Sequence, residues 1–186
     1  MPSTEITPGL VVQRLSAAQR LSDYKLIAFD MDSTLINIEC IDEIADAAGR
    51  KAEVAAITEA AMQGVITDFK DSLRQRVAML RGVPVAHLQT VLQERLRLNP
   101  GAQNLMIAAR EAGLKTLLVS GGFTFFAERV KEALGMDFAR ANQLEVADGL
   151  LTGKLIDQCW GDICDGAEKR RTLLEVASLL GIAPQH

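Results

Sequence analysis

The chain has 186 residues, 48% of them apolar and 24% charged, with a net charge of −4. That is enough for one domain, or one domain with a modest insertion, and for a sizeable core. The acidic balance and the lack of a long apolar run exclude nucleic acid and membrane as partners, and residues 1–23 lack the basic start and apolar middle of a signal peptide, so a cytoplasmic protein is expected.

Residues 1–23 read as a mixed leader with Pro2 and Pro8, able to hold a short helix from Val11 to Leu21. Leu26 to Phe29 has the length and composition of a strand buried on both faces, and Asp30, Met31, Asp32, Ser33 and Thr34 follow at once. Charged residues are rarely buried unpaired, so Asp30 and Asp32 belong where the strand emerges, the place where α/β proteins put their chemistry. Residues two apart in an extended chain point the same way, so both carboxylates can converge on one cation or one phosphate. They repel each other and need positive charge between them. A Mg²⁺ ion fits, being a hard cation held through one or two carboxylates, waters and substrate phosphate. The same stretch also fits an N-capped turn.

Four helical patterns come next: Ile41 to Ala48, Ala52 to Met62, Asp68 to Arg81 and Val85 to Leu96, punctuated by Gly49, Gly64, Gly82 and Pro84. An all-helical block of this length is too large for an ordinary crossover and reads as a cap, residues 41–98, inserted into an α/β core of residues 24–40 and 99–186. The core pattern resumes with a helix from Ala102 to Ala112, a strand from Leu114 to Val119 and a helix from Thr124 to Leu134, the grammar of a parallel sheet. Asn142 to Leu155 alternates around Asp148-Gly149, a hairpin signal, and a last helix runs from Ala167 to Leu180.

Several residues could carry chemistry. The second strand ends in Ser120-Gly121-Gly122 and enters a helix, which presents backbone N–H groups and a hydroxyl to an anion; a glycine pair also serves merely to leave a strand. Arg76 shares a helix face with Phe69, Leu73 and Leu80. An arginine on an apolar stripe calls for an anion such as a substrate carboxylate, although a stem that snorkels to water or pairs with a structural aspartate fits equally. Glu39 reads as an ordinary acidic residue at a helix start, Met62 as cap core, His87 as a surface residue and Arg74 as solvated. Lys169 stands in a first helical turn, where acidic residues are preferred. Cys40, Cys159 and Cys164 are odd in number and lack metal-ligand spacing, which argues against a disulfide framework or a zinc site.

The segments FDMDSTLINIECIDEIAD, ITEAAMQGVITDFKDSLRQRV and VSGGF, with the hairpin from Asn142 to Gly153, together resemble the phosphoserine phosphatase family of the haloacid dehalogenase-like hydrolases. The resemblance implies a Rossmann-like core with a helical cap, and a Mg²⁺-dependent hydrolysis of O-phospho-L-serine through an aspartyl-phosphate, the last step of serine biosynthesis. It implies Asp30 as nucleophile and metal ligand, and Asp32 as acid, then base, and metal ligand. Ser120, Gly121 and Lys169 would hold the phosphate, Glu39 the ammonium and Arg76 the carboxylate, with Met62 and Phe69 lining the cap pocket. The family's fourth motif, a strand ending in glycine and aspartates, would follow the Lys169 helix, and the chain stops at His186. The expectation is therefore a core without its C-terminal part, with weak or absent turnover. Asp162 and Asp165 lie before Lys169 and are spaced differently from that motif. Two alternatives remain: transfer of the phosphoryl group to another hydroxyl, such as that of homoserine, and a silent remnant that only binds.

Overall fold

The second apolar run becomes a central strand because it alternates between two cores. In the computed structural model, which describes residues 3–8, 10–13 and 20–183, Leu118 packs into the larger hydrophobic cluster. Its neighbours Leu117 and Val119 pack into a smaller one with Cys164 and Val176. Successive side chains on opposite faces of one strand are what a sheet covered on both sides requires.

The chain begins with an antiparallel hairpin of β1 (Ser3–Thr7) and β2 (Leu10–Gln13), followed by a single 3₁₀ turn, Leu21–Asp23. The expected helix from Val11 is thus replaced by a strand over residues 11–13, and its stretch 14–19 lies outside the described residues. Then come β3 (Leu26–Phe29), α1 (Cys40–Ala47), α2 (Lys51–Met62), α3 (Phe69–Ala78) and α4 (Ala86–Thr90), the last running on as a π-helical turn, Val91–Arg95. They are followed by α5 (Ala102–Glu111), β4 (Lys115–Phe123), α6 (Thr124–Leu134), β5 (Phe138–Ala147), β6 (Leu150–Ile156) and α7 (Gly166–Leu179). The sheet order is β3-β4-β5-β6. The first three strands are parallel, and β6 returns antiparallel through Asp148 and Gly149, whose φ values of 50° and 76° match a type I′ turn. This is an α/β fold with a Rossmann-like core and a helical cap between β3 and α5.

Two features of the sheet differ from expectation. Leu26, Ile27 and Phe29 are only half-buried and Ala28 is exposed, because β3 is an edge strand: among the described residues it pairs with β4 alone. Strand β4 also runs four residues past Val119, since Ser120, Gly121 and Gly122 stay extended as a bulge against β5 rather than turning out of the sheet. The register Leu26↔Lys115 through Phe29↔Leu118 brings the carboxyl ends of β3 and β4 side by side, with Asp30 and Ser120 just beyond. The larger cluster joins sheet and helices continuously: Ile36, Ile44, Leu73, Leu80, Phe126 and Leu151 all belong to it. Among the described residues no helix is long and apolar enough to cross a membrane.

Candidate active site

At the end of β3 all four carboxylate oxygens of Asp30 and Asp32 accept a hydrogen bond. Asp30 Oδ1 accepts from the Met31 N–H at 2.8 Å and Oδ2 from Lys169 Nζ at 2.6 Å. Asp32 Oδ1 accepts from the Cys40 N–H at 3.0 Å, and Oδ2 faces the Ser120 hydroxyl at 3.4 Å. Lys169 reaches Asp30 because α7 starts close to the strand ends. Asp165 is the N-cap of that helix and accepts from the Glu168 N–H at 2.8 Å, so the lysine emerges in its first turn. A position poor for local helix electrostatics is thus explained by a tertiary partner.

Burial, opposed by the hydrogen bonds from Cys40 and reinforced by the charge of Asp30, raises the pKa of Asp32 above the ordinary carboxylate value. Asp30 is the more open of the pair, its side chain 44% exposed. The two neighbouring carboxyls therefore differ in kind: one exposed and paired with a lysine, the other half-buried and inclined to hold a proton. The Cys40 thiol is pushed strongly upward by burial and then by Asp32, which leaves it an inert neighbour.

Ser120 is fully buried, and its Oγ accepts from the Gly122 N–H at 2.9 Å. Gly122 has no freedom to carry a side chain: a Cβ there would overlap Asp32 Oδ2 and lie 2.9 Å from Met31 Cε. At Gly121 a Cβ would meet the Phe69 ring at 3.0 Å, so the bulge of β4 and the start of α3 close on each other.

The opposite wall is helical. Glu39 is the N-cap residue of α1 and accepts from the Ser33 hydroxyl at 2.6 Å. Ser33 can do this because it takes a left-handed conformation, φ 53°, that folds the chain back after Asp32. Burial raises the pKa of Glu39, against the Ser33 hydrogen bond. Arg76, with Leu73 beside it on α3, has a buried Nε that finds no hydrogen-bond partner among the described residues. Burial lowers its pKa, while Asp42 and Glu39 act in the other direction.

These residues line one cleft of about 160 Å³, walled by Asp30, Asp32, Glu39, Phe69, Arg76, Ser120, Gly121 and Lys169 together with Cys40, Ile41, Leu73 and Gly122. Every candidate from the sequence is there except Met62. The last residue of α2, Met62 is 80% exposed and stands outside the cleft, carried away by the turn at Gly64, so neither cap core nor pocket lining describes it. Arg74 is not simply solvated: it donates to Asp162 at 2.6 Å, and Lys70 donates to the same carboxylate at 2.8 Å. Asp162 and the helix-capping Asp165 are thus engaged elsewhere and absent from the cleft lining. His87 is half-buried rather than a surface residue, with an unpartnered buried Nδ1. Among the described residues no group of three or more His, Cys, Asp or Glu could hold a metal ion. Asp30 and Asp32 supply two carboxylates, a set that suits a hard cation only with added water or phosphate oxygens. The sequence pointed to Ser120 and Gly121 but not to the steric demand on Gly122 or to Ser33 as a partner of Glu39. An adjacent second glycine and a serine directly after the aspartate pair were the available signals.

The sequence profile of the haloacid dehalogenase-like hydrolases matches residues 27–185. The chain belongs to this family. It is 66% identical over 185 residues to a phosphoserine phosphatase of Polaromonas sp. and 63% identical over 185 residues to one of Albidiferax ferrireducens, covering all of this chain and 78% of each relative. A solved structure described as a phospho-aspartyl intermediate analogue of phosphoserine phosphatase superposes with a TM-score of 0.77 at 40% identity, over 86% of this chain and 73% of that one. The matched segment of this hydrolase runs from β3 through α7 and so contains every residue of the cleft.

Proposed function

We propose that the protein is a phosphatase that hydrolyses O-phospho-L-serine to L-serine and phosphate through an aspartyl-phosphate on Asp30. One observation carries this reading. A single cleft joins an anion-binding, carboxylate-bearing end (Asp30, Ser120, Gly121, Lys169) to a wall bearing one carboxylate, Glu39, and one guanidinium, Arg76, whose buried Nε has no hydrogen-bond partner among the described residues. Phosphate at one end and a zwitterion at the other describe a phosphorylated amino acid. The curated relatives named phosphoserine phosphatase support the same substrate.

In this mechanism Ser120, the Gly121 backbone and Lys169 hold the phosphate oxygens, while Arg76 takes the substrate carboxylate as a paired fork and Glu39 takes the ammonium. Asp30 attacks phosphorus in line. As the P–O bond to the serine oxygen breaks, Asp32 gives that oxygen its proton. Serine leaves, and the ionised Asp32 then removes a proton from a water that attacks the phosphorus, releasing phosphate and regenerating Asp30. The raised pKa of Asp32 suits both roles. Asp30, through its carboxylate, and Asp32, through its backbone carbonyl, are the residues that would hold Mg²⁺, which would supply charge neutralisation of the phosphate. Phosphate chemistry is assigned to a core of residues 24–40 and 99–186, and amino-acid recognition to Phe69 and Arg76 of a cap of residues 41–98 together with Glu39, which stands on the core side of its border.

The test is phosphate release from O-phospho-L-serine with Mg²⁺, beside an EDTA control and the Asp30→Asn variant. Release that EDTA abolishes and that falls by roughly 10⁴-fold or more in Asp30→Asn supports the reading. Release that survives Asp30→Asn counts against it, and none from the unaltered chain would favour the remnant that only binds.

A further inference from the structure

Asn142 has no part in the chemistry above, yet it is a polar side chain only 1% exposed in the middle of β5, and both ends of its amide are used. Its Nδ2 donates to the Gly121 carbonyl at 2.8 Å, and its Oδ1 accepts from the buried Cys164 N–H at 2.7 Å. The reversed amide would set oxygen against oxygen at Gly121 and N–H against N–H at Cys164, so one orientation alone satisfies both.

The need for this residue comes from the bulge. Between Val119 and Phe123 strand β4 advances four residues while β5 advances two, from Arg140 to Asn142, so the ladder is interrupted across Ser120, Gly121 and Gly122. The Asn142 side chain meets the Gly121 carbonyl in that gap. A trans peptide is planar, with its C=O and N–H pointing oppositely. Holding the Gly121 C=O toward β5 therefore aims the N–H of the same peptide, that of Gly122, the opposite way, where it donates to Ser120 Oγ at 2.9 Å. On its other side, Asn142 anchors Cys164, one residue before the Asp165 cap of the helix that delivers Lys169 to Asp30.

We infer that Asn142 is a positioning residue for the reaction: its amide ties the Ser120-Gly121-Gly122 bulge to the segment leading into α7, and so fixes the phosphate-binding Ser120 and Gly121 relative to Lys169, with the Gly122 N–H holding the Ser120 hydroxyl. The inference rests on the phosphatase reading for what is positioned, and on geometry alone for how. Neither Glu39 nor Arg76 is attached to this link, so its loss should touch the chemical step and spare recognition of the amino acid.

Asn142→Asp keeps an acceptor for Cys164 but opposes a carboxylate to the Gly121 carbonyl; Asn142→Ala removes both links. In the full chain, with O-phospho-L-serine and Mg²⁺, both variants should lower kcat by roughly 10- to 100-fold with KM changed less than about threefold, the effect of misplaced groups rather than lost binding. In amide NMR spectra, inorganic phosphate should shift the Gly122 resonance of the unaltered protein and leave it nearly still in Asn142→Asp. Variants with wild-type circular dichroism and melting whose kcat stays within about twofold of wild type, or a Gly122 shift equal in both proteins or absent from the unaltered one, would overturn the inference. Were the unaltered chain without turnover, the remnant that only binds would be favoured and the phosphate titration would still decide the role of Asn142. Were both variants unfolded, scalar coupling across the Cys164 N–H to Asn142 hydrogen bond in the unaltered protein, together with its Gly122 shift, would decide it.

Discussion

The strand ends and the helical wall of the cleft are built differently. At the strand ends the Asp30 and Asp32 oxygens are all occupied by Met31, Lys169, Cys40 and Ser120. On the helical wall Arg76 keeps a buried nitrogen without a partner, Phe69 is 45% exposed, and Met62 and Val65 are 80% and 75% exposed beyond it. Two adjacent carboxylates repel whether or not a ligand is present, so the chain itself must supply Lys169 and the N–H groups that hold them. A desolvated guanidinium has no such internal remedy here; a substrate carboxylate would satisfy it. In the proposed mechanism the pre-bonded half carries the chemistry and the unsatisfied half the recognition, which would separate kcat from KM.

Substitutions at the two walls should therefore separate cleanly. After Asp30→Asn, the largest effect is expected at Gly122→Ala, whose Cβ would displace Asp32: kcat for phosphoserine should fall about 100-fold with little change in KM, read from steady-state kinetics. A rise in KM alone would abolish the distinction. Arg76→Met, on the opposite wall, should raise KM by about 10- to 100-fold, the size of a lost charge-assisted hydrogen bond, and leave kcat within a few-fold. Smaller still is a pH effect. Glu39 must be ionised to hold an ammonium group, and burial raises its pKa from the ordinary 4.5, so KM should climb as pH falls through that raised value while kcat follows other groups. Ser33→Ala removes a hydrogen bond that favours the ionised form, so the climb should begin at higher pH; a profile unmoved by that change would detach Glu39 from binding. The smallest effect is expected where α3 meets the loop before α7. Asp162→Asn loses partly exposed ion pairs to Lys70 and Arg74 and should lower stability by no more than about 1 kcal/mol in urea denaturation, with kcat unchanged.

How legible each part was follows from the range of the interactions involved. Strand β3 and helix α6 fall at their expected limits, and the Asp148-Gly149 turn is of the expected type, because apolar periodicity and turn chemistry act over a few neighbours. Helices α1 to α3 and α7 start within a residue or so of expectation for the same reason. The burial of β3 was not legible, since whether a strand is central or an edge depends on which other strands pair with it. The leader was misread because β1 and β2 depend on pairing with each other rather than on local periodicity. Met62 was placed in the cleft by resemblance, but its helix ends in a turn that carries it into solvent.

By itself, the order of residues determined that Asp30 and Asp32 would stand together at a strand end, a fact of local spacing, while the glycine pair expected after the next strand lies inside β4. Tertiary structure alone decided which groups meet them. Lys169 is distant in sequence from Asp30 and bonds it at 2.6 Å, and Asn142 reaches Gly121 and Cys164 at once. Sheet register and the placement of α7 set those distances, and a hydrogen bond is made or lost within a few tenths of an ångström that no local pattern encodes.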